Sequence, residues 1–114
     1  MKRDMELIRL LLQEIEGEEP KPDLSGYSDA AKLYHLDLME EEGLVRGTIL
    51  RDGGRACVAN IDRLTNAGHD FLEASRSDTI WRKFKEKLLD VGGGVSMPVA
   101  TELLKKLVRE ALGL

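Results

Sequence analysis

The chain has little cysteine, because Cys57 is the only one among its 114 residues. A lone cysteine cannot form an intrachain disulfide and cannot build a cysteine-rich zinc site. The chain also has no run of about 20 apolar residues, the length that a membrane-spanning helix needs. Its opening residues, Met1 to Glu6, are mostly charged and lack the apolar segment of a signal peptide. We therefore expect a single domain in the cytoplasm, with no membrane partner.

Side chains suited to catalysis are also scarce. His35 and His69 are the only histidines, and the neighbouring Asp70 diverges from His69 on a predicted helix. The glycines at 92–94 come with neither the lysine nor the Ser/Thr of a phosphate-binding loop. Cys57 lies in a predicted strand, where a lone cysteine is typically a small buried apolar residue. The sequence therefore predicts a protein that is not an enzyme and has no cofactor, metal ion or small-molecule substrate.

A strongly basic composition is absent as well, since the formal net charge is −4 at pH 7. That value hides an asymmetry along the chain. Residues 1–42 carry five basic and twelve acidic side chains, a net charge of −7, and residues 43–114 carry twelve basic and nine acidic, a net charge of +3. The uniformly basic surface of many nucleic-acid-binding proteins is therefore excluded for the whole chain but not for its second part.

What the sequence does contain is a succession of apolar stripes separated by helix-ending residues, which predicts five helices. In the first of them, Met5, Ile8 and Leu12 recur at steps of three and four residues. The loop that follows, residues 17–26, contains two prolines, which cannot continue a helix, and a short extended piece is expected near Leu24. The predicted helices cover residues 3–16, 28–42, 66–76, 78–90 and 96–112.

A β-hairpin is predicted between the second and third helices, which makes the fold mainly α with a small β-hairpin. Residues 44–51 and 55–64 are rich in aliphatic and β-branched side chains, and Asp52-Gly53-Gly54 between them is a strong reversal signal. Gly68, inside the next helix, costs about 1 kcal/mol relative to alanine and so indicates close packing against a neighbouring backbone. That helix is expected to direct three apolar side chains inward, namely Ala67, Phe71 and Leu72.

Two local motifs resemble those of winged helix-turn-helix regulators of the MarR, PadR and ArsR type. The corner Met39-Glu40-Glu41-Glu42-Gly43-Leu44-Val45 looks like the end of their recognition helix, and Leu64-Thr65-x-x-Gly68 looks like the end of their β-wing. The resemblance implies a winged-helix-like core at residues 1–76, followed by helices at 77–114 that pack on the core or mediate dimerisation. One departure is the segment between Gly17 and Ser28, where the regulators have a supporting helix and this chain has none.

The whole chain resembles a narrower group, an uncharacterised family of short bacterial and prophage-encoded proteins. The motifs that carry this resemblance are Met1-Lys2-Arg3-Asp4-Met5-Glu6-Leu7-Ile8-Arg9, Tyr27-Ser28-Asp29, Tyr34-His35, the run from Leu64 to Leu72, and Asp78-Thr79-Ile80-Trp81. This resemblance implies a phage-related protein but no activity.

One hypothesis is DNA binding through residues 28–42 and the wing at 46–63. Its candidate DNA-contacting residues are Lys32, His35, Arg46, Arg51, Arg55 and Arg63. Arginines on a wing commonly reach phosphates or the minor groove. However, residues 28–42 hold one lysine and five carboxylates, and this charge opposes the counterion release that drives DNA binding. The alternative is that the arginines keep the edge of the hairpin exposed to water and prevent its pairing with other strands.

A second hypothesis, slightly favoured, is a protein partner or a second copy of the chain. The last helix carries a wide apolar stripe after the glycines at 92–94, which could act as a hinge. The candidate interface residues are Leu103, Leu104, Leu107, Val108 and Leu112. The alternative is that this helix folds back on its own core. The basic run at residues 82–87 is interpreted as a solvated face, with Trp81 and Phe84 directed into the core.

Overall fold

The structure, a computed structural model, describes residues 1–91 and 95–114. It is an α+β fold, as predicted, and its order of elements is compatible with a winged-helix-like arrangement. The glycines predicted as a hinge, 92–94, lie outside the described residues. In chain order the elements are α1 (Met5–Glu16), α2 (Asp29–Glu41), β1 (Val45–Asp52), β2 (Arg55–Leu64), α3 (Asn66–Ala74), α4 (Asp78–Asp90) and α5 (Met97–Ala111).

The chain divides into two compact units, Met1–His69 and Asp70–Leu114. The first unit contains α1, α2, the hairpin and the start of α3. The second unit contains the rest of α3 together with α4 and α5. The division therefore lies inside α3, whereas the boundary predicted from the sequence follows residue 76.

Four helices begin at a side chain that caps the free backbone N–H groups of the first turn. In α1 the capping residue is Asp4, which accepts hydrogen bonds from the N–H groups of Glu6 and Leu7. The helix therefore starts at Met5, two residues later than the sequence predicts. The other three capping residues are serines, namely Ser28 for α2, Ser77 for α4 and Ser96 for α5.

The segment between α1 and α2 contains no helix, in agreement with the sequence. Residues 21–24 form neither helix nor strand, and the chain turns directly after Leu24, where the N–H of Tyr27 donates to the Leu24 carbonyl at 3.1 Å. Leu24 itself is buried. The segment between α1 and α2 is thus a loop that leaves one aliphatic side chain in the core.

The two strands form an antiparallel hairpin that reverses at Gly53 and Gly54, as predicted. Both glycines have positive φ values, 59° and 80°, which side-chain-bearing residues rarely adopt. Val45 and Leu64 face each other at the base of the hairpin, and both are buried. Irregularities between Arg46 and Gly47 and between Leu50 and Arg51 shift the register along β1.

Aliphatic side chains fill the interior of the first unit. They come from one face of α1, from α2 and from the hairpin base, and they are Leu7, Ile8, Leu11, Leu12, Met39, Leu44, Val45 and Leu64. The corner between α2 and the hairpin is held by Thr65, whose hydroxyl donates to the Gly43 carbonyl at 2.5 Å and accepts from the Gly68 N–H at 3.0 Å. A Cβ atom at Gly68 would overlap the Leu44 carbonyl oxygen, which confirms the predicted close approach.

Aromatic rings form the interior of the second unit. Trp81 packs edge-on against Phe71, with ring centroids 6.1 Å apart, and lies 5.0 Å from the ring of Phe84. In α5, which packs on α4, four apolar residues are buried, namely Met97, Ala100, Leu104 and Leu107. The cations of the basic run are exposed while its two aromatic rings are buried, as the sequence predicts.

Two side chains expected to be buried, and one residue of the apolar stripe on α5, are at the surface. Ala67 is exposed because the first turn of α3 directs Gly68, rather than its neighbour, toward the hairpin. Cys57 is exposed because it lies near the hairpin tip, and its thiol contacts the Arg55 carbonyl at 3.6 Å. Val99 is 58 % exposed, since the buried side of α5 is narrower than the predicted stripe.

Candidate interaction surfaces

The hairpin is joined to α2 by a paired ion bridge near the hairpin tip. The Arg51 guanidinium donates from Nη1 to Asp37 Oδ2 at 2.8 Å and from Nη2 to Asp37 Oδ1 at 2.7 Å. These hydrogen bonds lower the pKa of the Asp37 carboxyl. The same hydrogen bonds raise the pKa of Arg51, and the charges of Asp37, Glu40 and Glu41 add to the effect. Arg51, expected to contact DNA, is therefore engaged inside the chain by an acidic helix.

His35 lies in the interior of the first unit and is only 2 % exposed. Its Nε2 accepts a hydrogen bond from the backbone N–H of Asp4 at 2.8 Å. Because that N–H can only donate, the ring proton is on Nδ1, which donates to the Ala31 carbonyl at 2.7 Å. The prediction of His35 as a DNA contact is therefore wrong. The imidazole instead connects α2 to the start of α1.

Tyr27 extends this connection at the N-terminus of α1. Partial burial raises the pKa of its phenol, and the nearby charges of Asp4 and Glu6 and a hydrogen bond to Asp4 act in the same direction. Asp4 thus caps α1, binds His35 through its backbone and contacts Tyr27 through its side chain. Sequence reasoning missed this cluster, because Tyr27 and His35 follow Asp4 by 23 and 31 positions.

The remaining candidate DNA contacts lie at the surface. Lys32 pairs with Asp29 one turn earlier on α2, at 3.8 Å. Arg46 and Arg63 stand directly opposite each other on the two strands, and Arg55 lies at the tip. Within the described residues, none of these three arginines has a carboxylate at ion-pair distance.

The side of the hairpin turned away from α1 and α2 carries a mixed set of side chains, which we call the outer hairpin face. It consists of three cross-strand pairs, Arg46 with Arg63, Thr48 with Asn60, and Leu50 with Val58. All six residues are exposed. Leu50 and Val58 leave 52 % and 44 % of their surface in contact with solvent. The face therefore offers two adjacent cations at its base and an apolar pair toward its tip.

Beside the base of this face lies the C-terminal end of α2, which we call the acidic end. It consists of Glu40, Glu41 and Glu42, of which Glu41 and Glu42 are exposed. In the part of the chain that the structure describes, none of the three carboxylates forms an ion pair. Four positions along the chain separate Glu42 from Arg46, so that an acidic and a basic patch adjoin each other without pairing.

The predicted interface on α5 is partly internal. Leu104 and Leu107 are 0 % and 6 % exposed, so both pack within this chain and present almost no surface to a partner. Leu103 and Val108 are half-buried, and Leu112 is 69 % exposed. The prediction of Leu104 and Leu107 as partner-facing is therefore wrong for this conformation. Other large apolar side chains are exposed in the second unit, and sequence reasoning did not select them as interface residues: Leu89, Val91, Val99 and Leu114.

Among residues 1–91 and 95–114, no group of three or more His, Cys, Asp or Glu side chains is arranged to hold a metal ion. Over the same residues, the helices are too short or too polar to cross a membrane.

Comparison with known proteins supports one part of the whole-chain resemblance, the membership of an uncharacterised family. A Haemophilus influenzae protein that bears the name "Uncharacterized protein" is 24% identical over 119 residues, which cover 98% of this chain and 99% of that protein. No solved structure matches the chain. The family described as "Hypothetical protein (DUF2513)" matches residues 2–95. Because this match spans well over half of the sequence, the chain belongs to that family.

Proposed function

We propose that the chain is a non-enzymatic, winged-helix-like module, phage-related, that acts by binding another protein chain, including a second copy of itself. The order helix, helix, hairpin, helix supports the winged-helix comparison. The sequence motifs at the end of α2 and at the end of β2 support it as well.

The observation that carries the proposal is the bridge between Asp37 and Arg51. In a DNA-binding winged helix, the second helix would meet the phosphates together with the wing. Here that helix neutralises a wing arginine with its own carboxylate, and Glu40 and Glu41 lie nearby. Bringing these acids against phosphates opposes the counterion release on which DNA affinity depends.

Exposed apolar side chains favour a protein partner. Leu50 and Val58 stand opposite each other on the outer hairpin face, with polar and charged pairs beside them. An apolar centre with a polar rim is the usual composition of a protein–protein interface. In the second unit, the exposed Leu112 lies at the end of an amphipathic helix and adds further apolar surface.

The alternative is a DNA-binding regulator that uses α2 and the wing, and one observation favours it. Arg46 and Arg63 lie side by side on the hairpin, and Arg55 is at its tip. Two neighbouring guanidinium groups suit a phosphate backbone.

A binding titration separates the two functions. The protein is added to a labelled random-sequence duplex at about 50 mM salt, where non-specific binding to phosphates is strong, and its solution mass is measured in the same buffer. We expect no duplex binding and a mass above that of one chain. Duplex binding that Arg46→Ala and Arg55→Ala weaken, and that Lys83→Ala on α4 leaves unchanged, would establish the regulator instead.

A further inference from the structure

We propose that the outer hairpin face of one chain docks on the acidic end of α2 of a second copy, in a two-fold symmetric dimer. This inference rests on the proposed function, because it specifies the surface and the partner through which the module acts. It assigns Arg46 and Arg63 on one chain to Glu41 and Glu42 on the other.

The arginine pair is the first argument. Arg46 and Arg63 are directly opposite each other on neighbouring strands, and like charges in this position destabilise a hairpin. Neither is paired with a carboxylate among the described residues. The arrangement becomes favourable when an anionic group lies against both guanidinium groups. It therefore fits a partner surface with closely spaced carboxylates.

The acidic end supplies such a surface on the same chain. Glu41 and Glu42 are exposed at the end of α2, where negative charge is unfavourable because the helix dipole is also negative there. No described cation forms an ion pair with them. Glu41 lies within the electrostatic reach of Arg51, but among the described residues neither the arginine pair nor Glu41 and Glu42 form an ion pair.

The adjacency of the patches points to a second copy as the partner. Glu42 and Arg46 are four positions apart, which limits their separation to about 14 Å of extended chain. A two-fold axis between two chains places the basic patch of each against the acidic patch of the other. One surface is then self-complementary, and both ion-pair clusters form at once.

Leu50 and Val58 complete the surface. They lie on the same outer hairpin face, toward the tip, and each leaves about half of its surface exposed. Apolar burial supplies affinity in such interfaces, whereas charge pairs set the orientation and the salt dependence. A duplex is a poorer occupant, because the acidic end beside the arginines would face its phosphates.

Charge reversal and re-pairing test the proposal. One variant carries Arg46→Glu and Arg63→Glu, and the other carries Glu41→Lys and Glu42→Lys. All four positions are exposed, and lysine at the end of α2 complements the helix dipole, so folding is retained and is checked by circular dichroism. If the variant with both Arg46→Glu and Arg63→Glu unfolds, the single Arg46→Glu variant replaces it in the test. Matched controls reverse exposed charges on α4, with Lys83→Glu plus Lys87→Glu, and Glu86→Lys plus Asp90→Lys.

Sedimentation velocity is the readout. We expect the wild-type chain to dimerise and each charge-reversed variant to dissociate with a Kd raised roughly tenfold or more. An equimolar mixture of the two variants regains the dimer, because reversed charges on both sides restore complementarity. The control variants behave as wild type, and raising the salt concentration weakens the wild-type dimer.

Three results overturn the inference in distinguishable ways. If the charge reversals leave the Kd of the dimer unchanged, or if the mixture does not restore the dimer, this surface is refuted but self-association is not. A wild-type monomer that does not bind duplex refutes the self-docking alone. Duplex binding that Arg46→Glu and Arg63→Glu abolish assigns the arginine pair to phosphates, and it refutes the proposed function as well.

Discussion

Both compact units have an apolar interior, and they differ in the contacts that join elements distant in sequence. In the first unit, polar groups connect elements that are distant in sequence, as in the bonds from Asp4 to His35, Arg51 to Asp37 and Thr65 to Gly43. In the second unit, packing of Phe71, Trp81 and Phe84 occupies the same role. Directional bonds specify a particular surface, whereas apolar packing is non-directional. Because directional bonds fix the positions of its distant elements, we expect the first unit to be the part that presents a defined binding surface.

The largest expected effect comes from a substitution that removes the centre of the aromatic cluster. Trp81→Ala leaves a cavity between Phe71 and Phe84 and should lower the free energy of unfolding by about 3–5 kcal/mol. Urea unfolding followed by circular dichroism measures the loss. The adjacent Arg82→Ala, at an exposed position, is the control and should change stability by less than about 0.5 kcal/mol. Similar losses for the two variants would mean that aromatic packing does not stabilise the second unit.

The second effect concerns the buried imidazole. His35→Leu keeps the apolar volume but leaves the Asp4 N–H without an acceptor, which should cost about 2 kcal/mol. The same urea measurement quantifies the loss, and the NMR shift of the Asp4 amide reports the missing bond. Lys32→Ala, at a position of α2 whose side chain is 31 % exposed and lies outside the core, is the control. An unchanged Asp4 amide shift in the His35 variant would contradict the assigned contact.

The third effect concerns the corner between α2 and the hairpin, which Thr65 holds. Thr65→Val is nearly isosteric, and it removes the hydroxyl that bonds Gly43 and Gly68. We expect a loss of about 1–2 kcal/mol, since two backbone groups lose their partner. Thr48→Val makes the same chemical change on the outer hairpin face and should be nearly neutral. Equal effects at the two sites would show that the corner contributes nothing particular.

The smallest expected effect is on the pKa of Asp37, and it should differ between variants at the tip and at the base of the hairpin. Because Arg51 depresses the folded-state pKa of Asp37, the bridge stabilises the fold above the ordinary carboxyl pKa. That contribution is lost as the pH falls through the depressed value. Arg51→Gln should raise the pKa of Asp37, measured from its carboxyl ¹³C shift. Arg46→Gln, at the hairpin base, should leave it unchanged. A pKa of Asp37 that both variants raise equally would indicate a general charge effect and not the paired bridge.

Local structure was largely predictable, because its signals lie within a few residues. The sequence predicts a helix at 78–90 and the structure has α4 at Asp78–Asp90, since Ser77 caps the first turn. The reversal at Gly53 and Gly54 is equally local. It was harder to predict which side chains of each helix are buried and which face a partner. Leu104 and His35 were expected at a partner surface and are buried, because burial depends on neighbouring elements that periodicity does not specify.

The sequence by itself determined the number, order and approximate ends of the elements, and it excluded an intrachain disulfide. Only the tertiary structure decided which charges meet. Arg51 binds Asp37 from fourteen positions away, whereas Arg46 faces Arg63 because of the strand register. Caps and turns depend on neighbouring residues, so a short window reveals them. Charge pairing depends on register and on the packing of whole elements, which no local pattern encodes.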